Sequence, residues 1–174
     1  MSEITEAMKA KAEVYHGDDI CQEKSKFLLR EVGLPDGLLP LRDIIECGYV
    51  EETGFVWLKQ KKKVEHRFEK IGRLVSYAQE VTAYVDKFKI KKLTGVKAKE
   101  LLLWLTLNEI SVDEPSTTGK KITFKTSTGL YRTFPTSAFE AEVEVKEVEE
   151  EKKKGGGVVV APPLEKTTQM VMNK

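Results

Sequence analysis

The chain has 174 residues, 40% hydrophobic and 33% charged, with a formal net charge of +1 and a mean hydropathy of −0.36. That composition excludes a fibrous or low-complexity protein and fits one domain with flanking segments. Two cysteines, Cys21 and Cys47, are too few for a disulfide framework and form no CxxC pair, so the chain reads as cytosolic.

The balanced total conceals an uneven spread. Residues 59–99 carry 13 basic and 4 acidic side chains, an excess of nine positive charges. Residues 140–154 carry 7 acidic and 4 basic ones, an excess of three negative charges. The N-terminus has acidic residues and no apolar core, unlike a signal peptide. The longest apolar stretch, 101–107, is far short of the ~20 residues that a membrane-spanning helix needs.

In chain order, residues 2–16 are rich in Ala, Glu, Lys and Met and are expected to form a helix stopped by Gly17. Asp18 or Asp19 can cap a second helix running to about Val32. The segment from Leu34 to Pro40, with two prolines and Gly37, cannot continue it. Strands are then expected at 43–50 and 55–60, joined through Gly54 where a positive φ is needed. Further strands are expected at 64–69, 77–85 and 87–93, with Thr94-Gly95 breaking the run. Residues 101–107 are apolar on both strand faces, so that strand is expected to be covered on both sides. A loop at 114–120 precedes a hairpin of 122–127 and 130–134 around Thr128-Gly129. The fold class is therefore mainly β, at the margin of α+β: an antiparallel barrel-like or sandwich sheet with one or two N-terminal helices.

Three regions follow: an N-terminal helical segment (1–17), a β-rich domain with a leading helix (18–139), and a charged tail containing Gly and Pro (140–174), read as disordered. A domain of ~120 residues buries roughly two-thirds of its unfolded surface, enough for a core without disulfides or metal.

The search for chemistry is largely negative. No serine lies in G-x-S-x-G. His16 and His66 make neither a zinc trio nor an HExxH pair. Cys21 with His66 would be a nucleophile and base only if folding joined them; the simpler reading of Cys21 is a buried helix residue. No catalytic residue, metal site or cofactor is expected. Lys87, Lys89 and Lys91 share one face of an expected strand. They read either as a solvated face that blunts a sheet edge or as a basic face for an anionic head group. No aromatic stacking pattern accompanies them, so nucleic acid is not an expected partner. Trp57 and Trp104 read as core residues, or as the wall of an apolar cavity if the sheet closes around one.

Several motifs are distinctive together: Gly33-Leu34-Pro35 with Gly37-Leu38-Leu39-Pro40, residues 52–57 (ETGFVW), and residues 93–100 (LTGVKAKE). Trp104, Ile122-Thr123-Phe124, Gly129-Leu130, Phe134-Pro135 and Ala138-Phe139 complete the set. In these the chain resembles the plant domain-of-unknown-function family numbered 538, from about Ala12 to Phe139. The resemblance implies a compact barrel-like β domain with an N-terminal helical part, and no established activity. The family has been likened to proteins that hold lipid in an apolar pocket, and a chlorophyll-binding or chlorophyll-hydrolysing role has been suggested. The expectation is non-catalytic binding of a lipid-like or amphipathic small molecule, with Trp57, Trp104, Lys87, Lys89 and Lys91 as ligand-binding candidates. The alternatives are an esterase-like hydrolase acting on an apolar ester, and a protein-interaction module that engages a partner through its acidic tail.

Overall fold

A computed structural model describes residues 4–113 and 120–140. Most of the expected 114–120 loop, and the tail from 141 onward, lie outside the described residues.

The described residues form two α-helices and nine strands. They are α1 (Glu6–Lys11), β1 (Glu13–His16), α2 (Asp18–Glu31), β2 (Ile44–Val50), β3 (Phe55–Gln60), β4 (Val64–Phe68), β5 (Arg73–Asp86), β6 (Lys89–Glu100), β7 (Leu103–Val112), β8 (Lys121–Thr126) and β9 (Tyr131–Pro135). A 3-10 turn, Thr136–Phe139, follows. All strands join one antiparallel sheet in the order β1-β2-β3-β5-β6-β7-β8-β9, with β4 also paired to β5. The mainly-β expectation holds, with both helices near the N-terminus.

The N-terminal helix is much shorter than its composition suggests. Thr5 caps α1 by accepting from the Met8 N–H, but the helix stops at Lys11. Val14 and Tyr15 belong instead to β1, paired with Gly48 and Cys47. A β-branched and an aromatic residue gain more from an open sheet edge than from two further helical turns. Gly17, at φ 107°, makes the turn into α2. Asp18 does not cap α2. Its carboxylate accepts from the Ile44 N–H at 2.9 Å and ties the helix to β2.

One face of the sheet holds the main core. Cys21 and Leu29 of α2, Leu34, Leu38 and Leu41 of the connection, inward residues of β2 to β8, and Phe139 form one buried cluster. The other face carries a smaller cluster of Val50, Phe55 and Trp57, roofed by Ile4, Met8, Ala12 and Val14. Trp57 lies flat across Gly48, where a Cβ would come within 2.2 Å of the indole ring.

The longest strand organises the sheet. β5 pairs with β4 through 73–77 and with β3 through 80–84 on one edge, and with β6 on the other. Where it changes partners, the side-chain amide of Gln60 donates to the carbonyls of Tyr77 and Ala78, both at 3.0 Å. Its carbonyl accepts from the Arg42 N–H. Gln60 is 2% exposed, so these bonds satisfy groups that water cannot reach. β6 does not break at Thr94-Gly95. It continues to Glu100 through a register shift, with Gly95 at φ 84° where a Cβ would strike the Glu80 carbonyl.

Gln60→Leu is nearly isosteric but abandons three backbone partners, one of them fully buried. A loss of at least about 2 kcal/mol is expected, since each unsatisfied buried group costs about 1–3 kcal/mol. The midpoint of urea unfolding checks it; an unchanged midpoint would show that the seam is not sealed by this amide.

Candidate functional site

Three hairpin turns lie at one end of the sheet: 69–72, 101–102 and 127–130. The antiparallel register places Arg73 beside the end of β6, and Glu100 opposite Leu103. The β6–β7 hairpin projects past its β8 neighbour. On the β8 side, β7 is paired only from Leu107 inward, apart from one bond between the Ser127 N–H and the Thr106 carbonyl. The turn itself is Leu101-Leu102, with Leu101 at φ 57°. These leucines are 91% and 89% exposed, Leu103 is 67% exposed, and Leu130 and Tyr131 on the neighbouring turn are also exposed. The expectation that 101–107 is covered on both faces is therefore wrong for its first four residues. Its apolar run is the protruding end of a hairpin, and only from Leu105 does it enter the fold.

Beneath this tip an apolar recess of about 80 Å³ opens between β5, β6, β7, β8 and β9. Val75, Ala98, Leu105, Leu107, Phe124 and Phe134 line it, with Phe139 at its base. Its lip is charged. The Glu100 carboxylate accepts from Arg73 and from Arg132, the latter pair at 2.8 Å. Arg73 also stands over the Phe134 ring at 5.7 Å. The ion group stays at the lip because alternation along β6 points Ala98 and Glu100 to the same side, while Lys97 and Lys99 point to the other. Further inside, the space between Leu38, Phe68, Tyr77, Leu93 and Ile110 amounts to about 10 Å³. These side chains belong to the main buried cluster.

The five sequence candidates do not converge. Trp57 is fully buried beneath α1, its indole N–H donating to the Glu46 carboxylate at 2.8 Å. Trp104 sits on the outer face of the projecting hairpin, opposite Lys99, whose ammonium lies 5.8 Å from the ring centroid. Lys87, Lys89 and Lys91 are at the far end of the sheet. Lys87 belongs to the β5–β6 turn, where Phe88 takes φ 62°, and so does not share a strand face with the other two. Lys87 and Lys91 border a cleft together with Glu31, Glu51, Glu52 and Asp86, and Lys91 pairs with Asp86 at 3.8 Å. That cleft is not basic: its carboxylates outnumber its lysines. Next to it, a groove of about 410 Å³ runs between α2 and β1–β3, bordered by Tyr15, Lys24, Phe27, Glu31, Tyr49 and Val56.

The groups with catalytic potential form no hydrogen-bonded pair of histidine with serine or cysteine among the described residues. His66 packs edge-on against Phe68, and burial, then Arg42, holds its pKa below the usual value. His16 pairs with Glu46 at 3.3 Å. Neither makes a hydrogen bond to a Ser or Cys among the described residues. Cys21 and Cys47 are buried free thiols. Burial pushes both pKa values up, which leaves them poor nucleophiles at neutral pH. For Glu46, burial acts upward, but the Trp57 bond and Lys59 outweigh it and hold the carboxyl below the usual range. Among the described residues no helix is long and apolar enough to cross a membrane.

The sequence did not single out Leu101, Leu102, Leu103, Glu100 or Arg132 as site residues. The turn at 101–102 carries none of the Gly, Asn or Pro that would mark it. Only the register brings the Arg-Glu-Arg group together.

The architecture defines an antiparallel β protein built on a single open sheet, with helices against both faces of its N-terminal strands. Within that class the chain belongs to the family described as protein of unknown function DUF538, whose model matches residues 25–140. No curated protein and no solved structure matches it.

His66 yields a sign for pH dependence. Its folded pKa lies below the model-peptide value of 6.5, so the folded state binds fewer protons than the unfolded chain. The resulting loss of stability is absent well above pH 6.5 and grows as the pH falls through it. Thermal melts from about pH 7 to about pH 5 are expected to show a falling midpoint, with a shallower fall in His66→Gln. Parallel slopes would place the acid sensitivity elsewhere.

Proposed function

We propose that this protein binds an amphipathic, lipid-like small molecule without turning it over, by the apolar recess at the β6–β7 end. One observation carries the reading: an apolar recess with an Arg-Glu-Arg lip opens directly beside exposed leucines on two adjoining turns. Volume limits what enters. About 80 Å³ falls well short of the about 300–1,000 Å³ of sites that enclose a drug-sized ligand. The occupant is therefore held by one apolar end, a chain terminus or ring edge. Its polar part lies at the lip, within reach of Arg132. An enclosed carrier of whole lipids does not fit a recess of this volume. The groove beneath α2 supports a second reading, because its volume would take a small amphiphile entire. A hydrolase finds less support, since His16 and His66 lack a hydroxyl or thiol partner among the described residues.

Anilinonaphthalene sulfonate, an apolar ring system with one anionic group, is a suitable probe. Ala98→Trp fills the recess, and Ser25→Trp fills the groove. The wild type is expected to enhance and blue-shift the probe's fluorescence. Ala98→Trp should weaken binding by about tenfold, the worth of roughly two buried methylenes. Ser25→Trp should leave it unchanged. The reverse pattern would move the site to the groove. Absence of binding by a natively folded wild type would remove the proposal.

A further inference from the structure

The projecting hairpin breaks the ordinary rules for a turn. A two-residue hairpin turn favours Asn, Asp or Gly, because one or both positions take a positive φ. Here the turn is Leu101-Leu102, and Leu101 itself adopts φ 57°. Leucine is strained there, and both side chains stand in water next to exposed Leu103. Nothing in the fold gains from this, since Leu101 and Leu102 join neither buried cluster. Local strain together with unburied apolar surface at one tip points to an external partner.

The surroundings of the tip indicate which partner. The segments 67–73, 97–104 and 125–132 that meet at this end contain seven Lys or Arg residues and two Glu, an excess of five positive charges. One of those glutamates, Glu100, is already paired with Arg73 and Arg132. Lys97, Lys125 and Arg132 are exposed. Trp104 stands one residue behind the leucines with Lys99 over its ring. An apolar wedge, then an amphipathic ring, then a cationic collar is the order of layers that a bilayer surface presents in reverse: acyl chains, the interface, anionic head groups. A tip one turn wide does not provide the flat patch, about 800 Å² per partner, of a standard protein interface.

We infer that the β6–β7 hairpin is a membrane-docking wedge, which inserts Leu101, Leu102 and Leu103 into an anionic lipid surface while Lys97, Lys99, Lys125 and Arg132 contact the head groups. Docking this way turns the apolar recess toward the bilayer. The inference uses the same end of the molecule as the proposed ligand recess but does not require a ligand to be held there.

Co-sedimentation with phosphatidylcholine vesicles, with and without phosphatidylserine, tests it on the full chain. The wild type is expected to pellet with the anionic vesicles and to release as salt is raised. Leu101→Ser/Leu102→Ser/Leu103→Ser should weaken binding by at least about tenfold at an unchanged melting temperature, because these side chains are exposed. Lys97→Gln and Lys125→Gln should each weaken it roughly fivefold on anionic vesicles only. Brominated lipid should quench the tryptophan fluorescence, and Trp104→Phe should abolish the quenching, since Trp57 is sealed beneath α1. The triple serine variant should still bind the sulfonate probe, and Ala98→Trp should still bind vesicles, which separates this proposal from the ligand reading. A wild type that stays in the supernatant at low salt would overturn the inference, as would a triple variant that pellets like the wild type. So would a tip that only self-associates, seen as a wild-type dimer that the triple variant converts to a monomer without vesicle binding.

Discussion

The structure depends on one strand serving two partners. β5 is long enough to pair with β4 at its beginning and with β3 at its end, and between them its carbonyls would face a gap. The Gln60 amide fills that gap with two donated bonds and one accepted bond. A polar side chain so deeply buried is tolerable only because every polar atom it carries is used. The Tyr77 hydroxyl beside it follows the same rule by donating to the Leu38 carbonyl at 2.9 Å. With the seam sealed, β4 can stand off the main path of the sheet, and the turn at 69–72 joins the other two turns at the β6–β7 end.

That arrangement gives the molecule two unlike ends. At the far end, the β5–β6 turn is fixed against α2: the Phe88 N–H donates to the Val32 carbonyl, and its ring occupies the space that a Cβ on Gly33 would need. Lysines there stand among carboxylates. At the near end, charge is mainly positive and the most prominent surface is apolar. Between the ends lies the larger buried cluster, from Cys21 of α2 to Ile122 of β8. The phenyl rings of Phe68, Phe124 and Phe134 around Phe139 close the recess from below. The Gly37 N–H, donating to the Phe139 carbonyl, holds the end of the described chain in place.

Much of the fold was legible because β periodicity is local. Alternation at 55–60 and 77–85, and the turn glycines Gly54 and Gly129, located β3, most of β5 and the β8–β9 hairpin. Three readings failed. Residues 13–16 have helical neighbours but pair with β2. Gly95 looks like a break but is a bulge that lets β6 cross the Glu80 backbone. Residues 101–104 look like a buried strand but turn in open water. In the first two cases the deciding partner is remote in sequence; in the third, the pairing of Glu100 with Leu103 is local, but the turn between them has no turn residue to mark it. The candidate residues fared similarly. Trp57 and Trp104 are both aromatic residues on strands, yet one is roofed by α1 and the other stands on an exposed hairpin, a difference that no local pattern encodes.

Composition and periodicity by themselves determined an antiparallel β domain behind one or two N-terminal helices, with an uneven charge distribution and no catalytic or metal motif. Those properties follow from residue type and spacing, which act over a few positions. Tertiary structure alone decided which apolar residues remain outside, that Arg73, Glu100 and Arg132 meet, and that three turns gather at one end. Those are consequences of register between strands tens of residues apart, where a shift of a single position would exchange the two faces of the sheet.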